Sequence, residues 1–201
     1  MLKHSKVLGM RVFIVIWLGQ LVSLVGSGLT NFALGVWVYQ QTGSATQFAL
    51  ISLFATLPTV VFSPVAGALV DRWNHRWAMI LSDTGTSLMT LAIAILLAFG
   101  RLEIWHIYLA NTISSTFNAF QLPAYSAATT LLVPRQHLGR ASGMIQLCQA
   151  AARLVSPILA GILLVTIQLQ GIILLDFVTF LVALATLMSV RFPNAKTPTA
   201  G

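Results

Sequence analysis

Charge is what this sequence most conspicuously lacks. Only 7% of its 201 residues are Asp, Glu, Lys or Arg, and just four of them are acidic. A water-soluble domain carries about 25% charged residues, because its whole surface must be hydrated. The shortage excludes a globule coated by water and leaves lipid as the solvent for most of the exterior. Cysteine occurs once, as Cys148 inside an apolar stretch, which excludes an internal disulfide and reads as a small core residue. The four histidines, His4, His75, His106 and His137, stand at the edges of apolar stretches with no ligand spacing such as H-E-x-x-H. No metal site, cofactor or enzyme activity is therefore expected. The net charge of +7 is spread in short clusters instead of one dense basic run interleaved with aromatics, so nucleic acid is not an expected partner.

What the chain has is grease in long runs. Hydrophobic residues make up 57% of it, and its mean hydropathy is +0.88. About 20 apolar residues in a helix cross the hydrocarbon core. Six segments meet that requirement: Val12–Tyr39, Gln47–Val70, Trp77–Phe99, Trp105–Leu132, Gly139–Ile167 and Ile172–Arg191. The first follows Lys3, Lys6 and Arg11, as a signal peptide would, but it far exceeds the roughly 7–15 residues of a cleaved apolar region. The expected fold is an all-α membrane protein of six transmembrane helices. Short polar joints lie at Gln40–Thr46, Asp71–Arg76, Gly100–Glu103, Val133–Leu138 and Gln168–Gly171, and their brevity forces neighbouring helices to run antiparallel.

The cationic residues orient the bundle. With the N-terminus inside, Lys3, Lys6, Arg11, Arg72, Arg76, Arg135, Arg140, Arg191 and Lys196 all fall in the cytoplasm, and the opposite side keeps only Arg101. The expected organisation is a cytoplasmic N-terminus over 1–11, a six-helix bundle over 12–191, and a polar, Pro-broken tail or linker over 192–201. Both termini are cytoplasmic in this reading, and the protein is multi-pass in the cell membrane.

Polar residues at helical spacing inside a span carry information, because a helix facing only lipid needs none. Gln20, Ser23, Ser27, Thr30 and Asn31 fall within roughly a 100° arc of the first span. Asn111, Ser114, Ser115, Asn118, Gln121 and Tyr125 share an arc of roughly 120° on the fourth. Ser142, Gln146, Gln149, Arg153 and Ser156 form a third stripe on the fifth span. Serines and threonines often do no more than bond helices together. The larger Gln20, Asn31, Asn111, Asn118, Gln121, Gln146, Gln149 and Arg153, with Ser27, are expected to line a water-filled cavity shared by spans one, four and five.

Arg153 lies near the middle of its span, where an arginine costs at least ~2.5–3.5 kcal/mol. Its candidate partners are an anionic substrate group, Asp176 in the sixth span, or carbonyls freed by a proline; a structural role at a helix junction is the alternative. Asp83, two turns from the cytoplasmic end, is expected to pair with Arg76 or Arg140. Asp176 has no evident partner. Gly19, Gly26, Gly28 and Gly35 thin the first span for close packing. Pro58, Pro64, Pro123 and Pro157 interrupt backbone bonds within spans, giving either functional bends or static kinks.

The second joint reads Gly67-Ala68-Leu69-Val70-Asp71-Arg72-Trp73-Asn74-His75-Arg76. It resembles the cytoplasmic loop signature of the major facilitator superfamily, G-x-x-x-D-[RK]-x-G-[RK]-[RK]. The glycine would let two helices touch, the aspartate could bond amides or arginines, and the basic residues suit a cytoplasmic interface. Asn74 replaces a glycine, which the asparagine's tolerance of left-handed backbone would allow, and His75 replaces a basic residue. Phe120-Gln121-Leu122-Pro123-Ala124, Leu132-Val133-Pro134-Arg135-Gln136-His137-Leu138 and Ala152-Arg153-Leu154-Val155-Ser156-Pro157-Ile158-Leu159-Ala160-Gly161 are similar to the drug-efflux branch that includes macrolide and siderophore exporters. The last stretch resembles the fifth-helix proline signature G-P-x-x-G-G, with Arg153, Pro157 and Gly161 in register.

The resemblance implies one half of a twelve-helix transporter, itself built of two inverted three-helix repeats, with substrate held between halves near mid-membrane. Gly67, Asp71, Arg72 and Arg76 would then form a latch between halves. The implied activity is alternating-access efflux of a small amphipathic organic compound, with the lipid bilayer and a second six-helix half, or a second chain, as partners. The alternative is a truncated, non-transporting membrane protein that acts structurally or by pairing with another half. The arginine that many proton-coupled relatives carry in the fourth helix has no equivalent here, so coupling to a proton gradient stays open.

Overall fold

The computed structural model describes residues 2–189, with side chains from residue 10 onward. Arg191 and the tail read as a linker, 192–201, lie outside the described residues. Within them run six helices: α1 (Leu2–Thr42), α2 (Ala45–Val70), α3 (His75–Ala98), α4 (Ile104–Leu132), α5 (Leu138–Thr166) and α6 (Gln168–Ser189), with a 3-10 turn at Arg135–His137. Five are long and apolar enough to cross a membrane. The exception is α4, whose 29 residues carry the polar stripe that lowers its hydropathy.

Four of the five joints are tighter than the sequence predicts. Between α1 and α2 only Gly43 and Ser44 are non-helical. Gly43 supplies the left-handed residue at φ 65° that ends α1, and Ser44 accepts the Gln47 N–H as the N-cap of α2. Between α5 and α6 the linker shrinks to Ile167, after which Gln168 turns at φ 59°. Asn74 is not left-handed. At φ −70°, ψ 112° it is extended and caps α3, its Oδ1 accepting the Arg76 N–H.

The buried apolar side chains form two clusters rather than one. The first joins Phe13 and Ile16 with Met79, Ala124, Ile145 and Leu187. The second joins Leu29, Leu34 and Val38 with Ile51, Ile107 and Ile172. Each cluster takes opposite ends of successive helices, as an up-down bundle requires, and the polar stripes lie between them. The predicted thinness of α1 is used throughout its length. A Cβ at Gly19, Gly26, Gly28 or Gly35 would run into Thr186, Thr179, Ser156 or Phe48 respectively.

The helices repeat. α2 and α5 begin at 45 and 138, and α3 and α6 at 75 and 168, each pair 93 residues apart. The same spacing relates Ser63-Pro64 to Ser156-Pro157 and Asp83 to Asp176. Packing follows suit: α1 rests on α5 and α6 as α4 rests on α2 and α3, while α3 and α6 touch each other. Because three helices separate the mates, the two repeats run in opposite directions across the bilayer.

Proline breaks are mended by neighbours. Pro58 has no N–H and its ring displaces the preceding turn. The Ser115 hydroxyl of α4 enters that gap, accepting the Thr59 N–H at 3.2 Å and donating to the Ala55 carbonyl at 2.7 Å. Thr59 Oγ1 returns a bond to the Ser115 carbonyl at 2.9 Å. On the opposite side of the bundle, Ser156, beside Pro157, donates to the Val25 carbonyl of α1 at 3.1 Å.

Candidate functional site

Between the two apolar clusters lies a cavity of ≈ 380 Å³. The stripe of α1 supplies Gln20, Ser23, Ser27 and Asn31, α4 supplies Asn118, Gln121 and Tyr125, and α5 supplies Gln149, Arg153, Ser156 and Pro157. A fourth helix, α3, not anticipated, adds Asp83, Thr86 and Ser87, and α2 adds Thr59. The signal for α3 was in the letters: Asp83, Thr86, Ser87 and Thr90 recur at spacings of three and four. Asn111 lies one step away, in a ≈ 40 Å³ chamber that also holds Asp176 and shares Ser27, Asn31, Thr86 and Asn118 with the larger cavity.

Asp83 is the hub of the large cavity and is 6% exposed. It does not pair with arginine, as its distance from the helix end suggested. Gln20 donates from Nε2 to one carboxylate oxygen at 3.0 Å, and Gln121 donates from Nε2 to the other. Gln121 Nε2 also reaches Gln20 Oε1 at 2.9 Å, closing a ring of three side chains from three helices. Arg76 is committed elsewhere: its guanidinium donates to the Met188 carbonyl at 2.9 Å, capping the last turn of α6. Helix rotation decides both outcomes, turning Asp83 inward and Arg76 towards α6.

Asp176 is likewise not the partner of Arg153. It accepts from Ser27 Oγ at 3.1 Å and is 4% exposed. Arg153 is exposed on the wall of the large cavity. Four buried polar atoms on these walls, Thr30 Oγ1, Thr86 Oγ1, Asn111 Nδ2 and Tyr125 OH, have no protein partner. Buried polar groups are almost always bonded, so the walls are built to meet water or a solute.

The remaining predicted residues stand apart. Gln146 is exposed and lines neither space, because it sits one turn below the cavity floor set by Gln149. Gly161 is exposed one turn beyond Pro157. Gly67 brings no helix close: nothing lies within 4 Å of where its Cβ would be, and the same holds for Gly143 and Gly161. Asp71 and Arg72 are exposed in the α2–α3 joint. Beside them Trp73 stacks on Phe120 with ring centroids 6.2 Å apart, which ties the joint to α4.

Known proteins are similar to this chain in sequence. Macrolide efflux protein A of Streptococcus pyogenes is 34% identical over 182 residues, covering 90% of this chain and 45% of that protein. Its namesake from Enterococcus faecalis is 34% identical over 152 residues, 76% of this chain and 47% of that protein. An enterobactin exporter of Citrobacter koseri is 26% identical over 154 residues, 77% of this chain and 37% of that protein. The chain thus spans less than half the length of these relatives. The family model for the Major Facilitator Superfamily matches residues 16–201. A match that runs from inside α1 through every later helix fits this inverted six-helix bundle, and the chain belongs to the Major Facilitator Superfamily.

Proposed function

We propose that the chain is the efflux-type half of a transporter that moves small amphipathic organic compounds by alternating access. The observation that carries this reading is the polar cavity of ≈ 380 Å³ held between two apolar clusters. A solute can be hydrated and hydrogen-bonded at mid-bilayer there, while either cluster closes one end. The efflux direction is taken from the similarity to macrolide and enterobactin exporters. No covalent step is involved.

The second wall of the pathway is supplied by another six-helix unit, in the same or a second polypeptide. The open faces at Gly67 on α2 and at Gly143 and Gly161 on α5 are where small residues would admit close helix contact. In this arrangement Asp71 and Arg72 latch the two units at the cytoplasmic side, where the excess of Lys and Arg also places both termini. Arg153 offers the substrate a charge on the cavity wall.

The test is export of a labelled macrolide or cationic dye from cells expressing the chain from its native reading frame. Asp71→Asn should abolish export while insertion into the membrane persists. Arg153→Ala should change which compounds are exported at unchanged protein abundance. Full export by Asp71→Asn removes the latch, and an Arg153→Ala variant that loses only abundance makes that residue structural.

A further inference from the structure

Of the chain's five tryptophans, Trp73 and Trp77 stand exposed on the outside of the bundle. They flank a groove of ≈ 310 Å³, separate from the polar cavity, where the α2–α3 joint meets the first two turns of α3. Its lining is Arg72, Trp73, Asn74, Trp77, Ala78 and Leu81.

The chemistry of this groove changes with depth. Arg72 and Asn74, in the joint, form the end nearest water. Asn74 spends its Oδ1 on the Arg76 N–H, which leaves its amide nitrogen as a donor. Trp73 is held as a wall by its stack on Phe120. Trp77 and Leu81, 67% and 53% exposed, continue down one face of α3, four residues and so about 6 Å apart. That face meets lipid in a chain that crosses the membrane, and tryptophan is enriched at the headgroup level. The wet end is thus a cation with an amide donor, and the deep end an aromatic and aliphatic strip. No acidic side chain lines the groove among the described residues. Asp71 is exposed outside it, and Arg76 is committed to the Met188 carbonyl.

The bundle's architecture does not require this arrangement. The 93-residue repeat pairs Arg72 with Val165, Trp73 with Thr166, Trp77 with Gln170 and Leu81 with Leu174. The leucine survives at the opposite face; the cation and both tryptophans do not. They belong to one side of the membrane.

We propose that this groove binds the headgroup of an anionic phospholipid from the leaflet that the α2–α3 joint faces. The phosphate accepts from the Arg72 guanidinium and the Asn74 amide, and an acyl chain lies against Trp77 and Leu81. A basic pocket at the membrane surface recognises such heads. The volume, ≈ 310 Å³, is at the low end of the ~300–1,000 Å³ of small-molecule sites, enough for a headgroup while its chains stay in the bilayer. A zwitterionic head would bring an ammonium that finds no carboxylate in the groove. Arg72 is shared with the proposed latch, so an occupied groove holds it at the lipid and an empty one frees it for the second unit. That consequence rests on the latch reading, whereas the site does not.

The test uses the full chain in phosphatidylcholine liposomes into which phosphatidylglycerol, brominated near the carboxyl end of its chains, is titrated. The Trp77 signal, taken as the difference between wild type and Trp77→Phe, reports contact with the bromines. It should be quenched at about fivefold lower mole fraction by brominated phosphatidylglycerol than by brominated phosphatidylcholine, the effect of one cation near a lipid surface. Arg72→Gln should erase this preference and Arg72→Lys should keep it. Arg135→Gln, which removes an exposed charge from the α4–α5 joint on the same side, should leave it unchanged; an equal loss there would make the attraction diffuse and overturn the site. Equal quenching by both lipids would overturn it too, as would no quenching by either, which means that protein covers the groove. Relief of quenching by soluble glycerol phosphate would make it a site for a soluble anion instead. A lipid preference in a chain whose Asp71→Asn variant still exports would sink the latch alone; export with no lipid preference would sink this site alone.

Discussion

Replacing Ser115 with alanine tests the link between a proline break and the helix that mends it. The hydroxyl joins the Thr59 N–H to the Ala55 carbonyl, at 3.2 and 2.7 Å. Its loss orphans two backbone groups in a buried interface, nominally ~1–3 kcal/mol for each. Interhelical bonds in membranes return less, averaging ~0.6 and reaching ~1.7 kcal/mol, because the separated helices find other partners. The bond from Thr59 Oγ1 to the Ser115 carbonyl survives the change. The expected loss is therefore about 1–2 kcal/mol, measured by unfolding in mixed micelles or by steric trapping in bicelles. The decisive control is a double-mutant cycle with Pro58→Ala. With the proline gone, the Thr59 N–H can bond the Ala55 carbonyl directly, and the cost of Ser115→Ala should fall below ~0.5 kcal/mol. An equal cost in both backgrounds would refute the mending argument.

Two glycines should respond with opposite signs. At Gly85 a Cβ would lie 2.6 Å from the Phe117 ring, so Gly85→Ala should separate α3 from α4 and cost about 1–3 kcal/mol in the same unfolding assay. Gly67 has open space, so Gly67→Ala should raise the bundle's stability by about 0.5–1 kcal/mol; a loss there would mean the face is already occupied. Reporter tags at Thr42 and Gln136 should report opposite compartments, and a shared compartment would overturn the threading.

The spans were legible because lipid imposes composition over about 20 residues at a time, and no tertiary detail can override that. Their ends were less so. Gln40, Gln41 and Thr42 read as a joint, yet the helix continues through them, because polar residues at the membrane surface stay helical once a span has nucleated. The cavity stripes on α1, α4 and α5 were visible as periodicity. Partners were not: Asp83 takes glutamines and Arg76 a carbonyl because a few tens of degrees of rotation decide which neighbour is met. The repeat was expected from the resemblance alone and could not be traced in the letters, because little besides a Ser-Pro pair and an aspartate survives there and the second copy lies upside down.

The junction of α5 and α6 has a mechanical consequence. Ile167 alone connects them, and its side chain folds so close that a Cβ at Gly171 would meet it at 2.7 Å. Such a link has no slack to absorb motion. If α5 swings, α6 is dragged at once, so displacement of the arm bearing Arg153 is delivered without delay to the one bearing Asp176.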